Sequence, residues 1–159
     1  MEKKTIHEPA NPNPALIAFA VLIGEWEVIG THPLVPNTTL TGHCSFKWIE
    51  EGAFISWHSE VHQKEFPKGI AIFGSDDAPG EYIMLYYDER KVSRKYKVSF
   101  KDNVLKWWRD APGFSQRYTW TISDNGNTII GKGELSKDGT TWEKDLEQTF
   151  TRRTLNIAS

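Results

Sequence analysis

The chain has 159 residues, enough for one domain with a sizeable core and too few for two comfortable ones. Hydrophobic residues make up 38% and charged residues 25%, with both signs interspersed, which excludes a disordered chain. A net charge of -2, with no run of Lys or Arg longer than a pair, leaves no footprint for nucleic acid or an anionic membrane surface.

Residues 1–13 are polar and proline-containing and read as a flexible arm, followed by a single domain over 14–159. Pro14 suits a first helical turn, and Leu16, Ile17, Phe19 and Ala20 supply the apolar side of a short helix. The apolar stretch Ala15 to Ile23 has the length of a signal-peptide core. Glu2, Glu8 and three prolines interrupt its approach and Gly-Glu-Trp-Glu follows it, so it is not expected to act as a leader. Cys44 is the only cysteine, which rules out an intrachain disulfide and Cys-based zinc frameworks and fits a cytoplasmic protein.

After Gly24 the period changes to two. Alternating stretches recur near 25–30, 39–49, 53–62, 69–73, 81–87, 93–100, 104–109, 114–122, 127–135 and 141–152. Asn125-Gly126 and Asp138-Gly139 are hairpin signals, Asp102-Asn103 is a weaker one, and only Thr31 to Thr38 makes a long loop. With no room for crossover helices, neighbouring strands pair antiparallel, and closure would remove the two exposed edges. The expected fold is all-β: a roughly ten-stranded antiparallel up-and-down barrel with a short N-terminal helix closing one end.

Alternation assigns faces. Leu40, Gly42, Cys44, Phe46 and Trp48 go inside, and so do Trp142, Leu146, Phe150 and Arg152, with Glu143, Asp145, Glu147 and Thr149 on the wet side. Gly131 and Gly133 give an inner face without bulk, where the strand can bend or leave space for a ligand.

Gly24-Glu25-Trp26, after a short apolar helical turn and at the start of the first strand, resembles the Gly-x-Trp signature of the lipocalin or calycin superfamily. That resemblance implies that a terminal-strand Arg packs over Trp26 and closes the barrel; by alternation Arg152 is the inward candidate and Arg153 the outward one. The stretch from Tyr86 to Arg153, including Tyr-Tyr-Asp-Glu-Arg-Lys-Val-Ser-Arg and Trp-Arg-Asp-Ala-Pro-Gly-Phe-Ser-Gln-Arg, is similar to a family of small bacterial calycin-like proteins of unknown function. The architecture also resembles nitrobindin-like haem-binding barrels and fatty-acid-binding proteins.

Arg94 and Tyr96, Trp107 and Arg109, and Gln116 and Tyr118 are each two apart, so each pair shares one face of its strand. A two-residue loop at Lys101-Asp102 would set Arg94 opposite Arg109 and Tyr96 opposite Trp107. A loop at Asp102-Asn103 keeps the same faces in a different register. No Asp or Glu falls at a mid-strand inward position, so two inward guanidiniums would call for an anion. The functional expectation is a non-enzymatic binder of a small hydrophobic or amphipathic anionic molecule. Arg94 and Arg109 would clamp its head, Tyr96 and Gln116 add polar contacts, and Trp107, Tyr118, Trp57 and Trp48 wall the apolar part.

The competing reading places both arginines at the rim, paired with Asp88 and Asp110 over a packed core. Haem is an alternative cofactor, but no His follows His62, and alternation puts His43, His58 and His62 outside. An isomerase or lyase acting on a carboxylate is a further alternative, short of a general acid or base in the cavity. No metal is expected, and an aromatic surface patch would allow a homodimer.

Overall fold

The computed structural model describes residues 8–153. Ten strands form a closed barrel: β1 (Gly24–Thr31), β2 (Leu40–Ile49), β3 (Phe54–Val61), β4 (Gly69–Ser75), β5 (Tyr82–Asp88), β6 (Ser93–Lys101), β7 (Val104–Arg109), β8 (Ser115–Ser123), β9 (Thr128–Ser136) and β10 (Glu143–Arg152). Each pairs antiparallel with its sequence neighbour, and β1 pairs with β10, so no edge is left open. Among the described residues no helix is long and apolar enough to cross a membrane.

One end of the barrel is plugged by a nine-residue 3₁₀ helix, Pro14–Leu22. Asn13 caps it by accepting from the Ala15 N–H, and Pro14 opens it at no hydrogen-bond cost. With three residues per turn, Leu16, Phe19 and Leu22 stack on one line, and all three are fully buried. Each such side chain contributes about 1.5–3 kcal/mol by leaving water. An α-helical side would have included Ile17, which is instead 55% exposed. The arm expected to be loose is anchored in its second half. Pro9 is buried, and the Asn13 N–H donates to the Gly52 carbonyl at 2.7 Å; residues 1–7 lie outside the described residues.

Closure at this end is completed by Arg152. It is the cross-strand partner of Trp26, and its guanidinium lies 4.3 Å from the indole centre. It donates to the carbonyls of Ile23 (2.6 Å), Gly126 and Val21, which the plug and the β8–β9 turn leave without strand partners. Gly24 is required there: its φ is +132°, and a Cβ would stand 2.7 Å from Arg152 Nη1. Burial lowers the Arg152 pKa from its ordinary value.

The half of the barrel next to the plug is solid. Phe19 packs on Phe73, Tyr82 and Phe100, and Trp120 packs on Phe46, Trp57, Trp107 and Phe150. Leu40, Cys44 and Phe46 of β2 are buried as alternation expects. Of the two expectations for Gly131 and Gly133, a bend or space for a ligand, the second does not hold. Their cross-strand partners Trp120 and Tyr118 lay their rings over them, close enough that a Cβ would come within 2.8 Å and 2.5 Å of those rings.

β10 departs from simple alternation. Lys144 pairs with Glu134 but Glu147 with Lys132, so one extra residue bulges between them and inverts the faces on the upper side. Two corrections follow. Asp145, expected outside, is buried. Trp142, expected inside, lies on the outer wall under the Arg117 guanidinium at 3.8 Å.

Candidate functional site

Opposite the plug the barrel opens. The mouth is formed by the loops after β1, β3, β5, β7 and β9. Beneath them lies a cavity of about 530 Å³, within the range of small-molecule sites. One wall is apolar, from Trp57, Ala71 and Met84, with Leu34 and Phe66 at the rim. Continuing round the barrel from β5 to β10, the lining carries Tyr86, Arg94, Tyr96, Gln116, Tyr118 and Asp145.

The β6–β7 loop decides how the polar residues meet. Asp102 and Asn103 both have positive φ (52° and 61°), so they form the two-residue turn and Lys101 pairs with Val104. Val98 then faces Trp107, and Arg94 is not opposite Arg109. Arg109 pairs with Gln116 on β8. It bears on Tyr96 through its charge but is not among the residues lining the cavity. Trp48 pairs with Ile55 near the plugged end and does not line the cavity either. Trp57, Arg94, Tyr96, Trp107, Gln116 and Tyr118 do. The Trp107 and Tyr118 rings stack at 5.1 Å.

Gln116 is the hub of a buried polar chain. Its carbonyl oxygen accepts from Tyr96 Oη (2.8 Å) and Arg94 Nη1 (3.3 Å). Its amide nitrogen donates to Tyr118 Oη (3.0 Å) and Asp145 Oδ2 (3.4 Å). Tyr118 Oη donates to Asp145 Oδ2 at 3.1 Å, and His32 Nε2 donates to Asp145 Oδ1 at 2.8 Å. The Leu34 N–H donates to His32 Nδ1 at 3.0 Å, so the ring is the neutral Nε2–H tautomer with both nitrogens in use. Burial raises the pKa of Tyr118, helped by the Asp145 charge. Burial also raises that of Tyr96, against the pull of Arg94 and Arg109.

Nearer the rim, Asp88 is held by a separate set. Tyr86 Oη donates to Oδ2 (2.8 Å), Arg90 Nη2 to Oδ2 (2.7 Å), and the Arg90 backbone N–H to Oδ1 (2.9 Å). The Arg90 hydrogen bonds, with that of Tyr86, hold the carboxyl at about 2. Asp110 is exposed. Among the described residues no ion pair joins Arg94 or Arg109 to Asp88, Asp110 or any other carboxylate, so the rim pairing weighed from sequence does not form.

Sequence reasoning did not find Asp145, His32 or Tyr86. The first is hidden by the bulge, the second sits in the long loop, and only Tyr86 carried a signal, sharing a strand face with Asp88.

Among the described residues no group of three or more His, Cys, Asp or Glu could hold a metal ion. Haem bound through a histidine does not fit them. His43 and His58 lie on the outer wall, His62 lies beyond β3 and bonds Thr41, and His32, at the cavity, has no nitrogen to spare.

No protein-family profile matches the chain, and no curated protein sequence matches it. Solved structures do. Rv2717c from M. tuberculosis superposes with a TM-score of 0.66 at 13% identity, covering 91% of this chain and all of that one. The S-type phycobiliprotein lyase CPES from Guillardia theta superposes with a TM-score of 0.59 at 9% identity, covering 90% of this chain and 99% of that one. At such identities the likeness concerns the fold. The chain is a ten-stranded calycin-like barrel with a plugged end and an open one.

Proposed function

We propose that this protein is a non-enzymatic binder of a small amphipathic anionic molecule. Its head would meet Arg94, and its apolar part would lie against Trp57, Trp107 and Met84. The observation that carries the reading is Arg94 itself. It is half-buried, lines the cavity, donates to Gln116 at 3.3 Å, and has no carboxylate within ion-pair distance among the described residues. A partly desolvated guanidinium gains most from a charged acceptor, which a ligand would supply. The likeness to a barrel named as a phycobiliprotein lyase is consistent with a barrel that holds a ligand. In this reading the expected clamp reduces to one arginine, with Arg109 contributing at a distance through its charge.

The test is thermal denaturation with decanoate and with decanol. Decanoate should raise the melting temperature of the wild type and of Arg109→Ala but not of Arg94→Ala. Equal rises for wild type and Arg94→Ala would overturn the proposal.

An isomerase or lyase is the second reading. Asp145 favours it by bringing a carboxylate to the cavity. Both of its oxygens already accept hydrogen bonds, and His32 has neither nitrogen free to move a proton, so binding accounts better for the geometry.

A further inference from the structure

Two carboxylates lie close to Arg94, and neither is paired with it. Asp145 is engaged by His32, Tyr118 and Gln116. Asp88 is the more telling case. Tyr86 is the cross-strand partner of Arg94, and Asp88 follows Tyr86 by two on the same face of β5. That makes Asp88 a diagonal neighbour of Arg94, about 7–8 Å away between backbones and within reach of an arginine side chain. Left to itself, this pair would form an ion pair and cancel the charge that faces the cavity.

Arg90 prevents it. Its Nε lies 3.2 Å from each Asp88 oxygen, its Nη2 2.7 Å from Oδ2, and its backbone N–H 2.9 Å from Oδ1. With the Tyr86 hydroxyl added, every favourable direction around the carboxylate is taken, and its side chain has no exposed surface. Arg90 itself is 52% exposed and stands on the turn after β5, at the rim of the cavity it helps to line.

We infer that Arg90 is a specificity-determining residue of the cavity. By occupying Asp88 it keeps Arg94 without an ion-pair partner, and so sets the site to accept an anionic head over its uncharged counterpart. The inference rests on the proposed binding function. It adds that the preference for charge is fixed by a residue on the rim, acting through a carboxylate that never meets the ligand.

The experiment uses two fluorescent probes that differ only in one charged group: 8-anilinonaphthalene-1-sulfonate and N-phenyl-1-naphthylamine. The readout is the ratio of their dissociation constants on the folded protein, checked by near-UV circular dichroism. Wild type should favour the sulfonate. Arg90→Ala should lose that preference by about tenfold or more, the scale of one charge-assisted hydrogen bond. Removing the carboxylate as well, in Arg90→Ala/Asp88→Asn, should restore it, which loss of a merely structural residue would not do. Arg90→Gln, which keeps most of the side chain's length, should behave as Arg90→Ala and serves if that variant does not fold. An unchanged ratio in Arg90→Ala or Arg90→Gln, or no recovery in the double variant, overturns the inference and leaves the binding function standing. A wild type with no preference for the sulfonate overturns both.

Discussion

Replacing Gly133 with Ala tests the packing that gives the cavity its polar wall. The new methyl would stand 2.5 Å from Tyr118 Cε1, 2.8 Å from Cδ1 and 2.9 Å from the Leu146 carbonyl oxygen. The ring can yield only by leaving its stack on Trp107 and its hydrogen bonds with Asp145 and Gln116, while the backbone oxygen of the adjoining β10 bulge has little freedom. Overpacking costs about 1–3 kcal/mol, and a hydrogen bond lost from a buried carboxylate about 1.5–3 kcal/mol. Against these stands a gain of about 0.4–1 kcal/mol from a less flexible unfolded chain. The net expectation is a loss of about 1.5–5.5 kcal/mol, read as a lower urea midpoint at unchanged slope. Tyr118→Leu should make the same glycine substitution much less costly in a double-mutant cycle. A Gly133→Ala protein within about 0.5 kcal/mol of wild type, the range of an unremarkable surface change, would refute the claim that the Tyr118 ring occupies the space above this glycine.

Two further outcomes follow from ionisable groups. Burial pushes the Cys44 thiol up to about 12, against a weaker opposing pull from the Trp57 indole, so it should resist Ellman's reagent at pH 8 until the protein unfolds; rapid labelling of the native protein would contradict that burial. Asp88 is lowered from 3.8 to about 2 by its hydrogen bonds from Arg90 and Tyr86, so its stabilisation is present above the unfolded value and lost as pH falls through the folded one. Wild type should therefore exceed Asp88→Asn in stability at pH 6, with the gap closing between about pH 4 and pH 2. A gap that does not change with pH would mean that the carboxylate's charge is not what the cluster stabilises.

The barrel was legible because its signals are local and repeated. Period-two stretches separated by Asp, Asn and Gly turns admit little besides an antiparallel meander, and ten strands invite closure. The Trp26–Arg152 contact was legible only through the resemblance of Gly24-Glu25-Trp26 to the lipocalin signature, with alternation choosing Arg152 over Arg153. The site was legible only in part. Gln116, Tyr96, Tyr118 and Arg94 were placed on one face correctly, but their partner Asp145 was not, because a one-residue bulge in β10 inverts the alternation that assigned it outside. The register of β6 against β7 depended on which residue pair took positive φ, and Asp102-Asn103 over Lys101-Asp102 separated Arg94 from Arg109. Gly131 and Gly133 read as missing bulk, because nothing local to β9 shows that the aromatic rings of β8 fill that space. His32 reaches Asp145 from a loop 113 residues away in sequence, a contact that no periodicity encodes.

The most direct measurement of the central claim is a crystal structure of the protein grown with decanoate. The carboxylate should lie within hydrogen-bond distance of the Arg94 guanidinium, with the chain running along Trp57 and Trp107. A decanoate whose head points out of the mouth towards solvent, or a cavity left empty at saturating concentration, would contradict it.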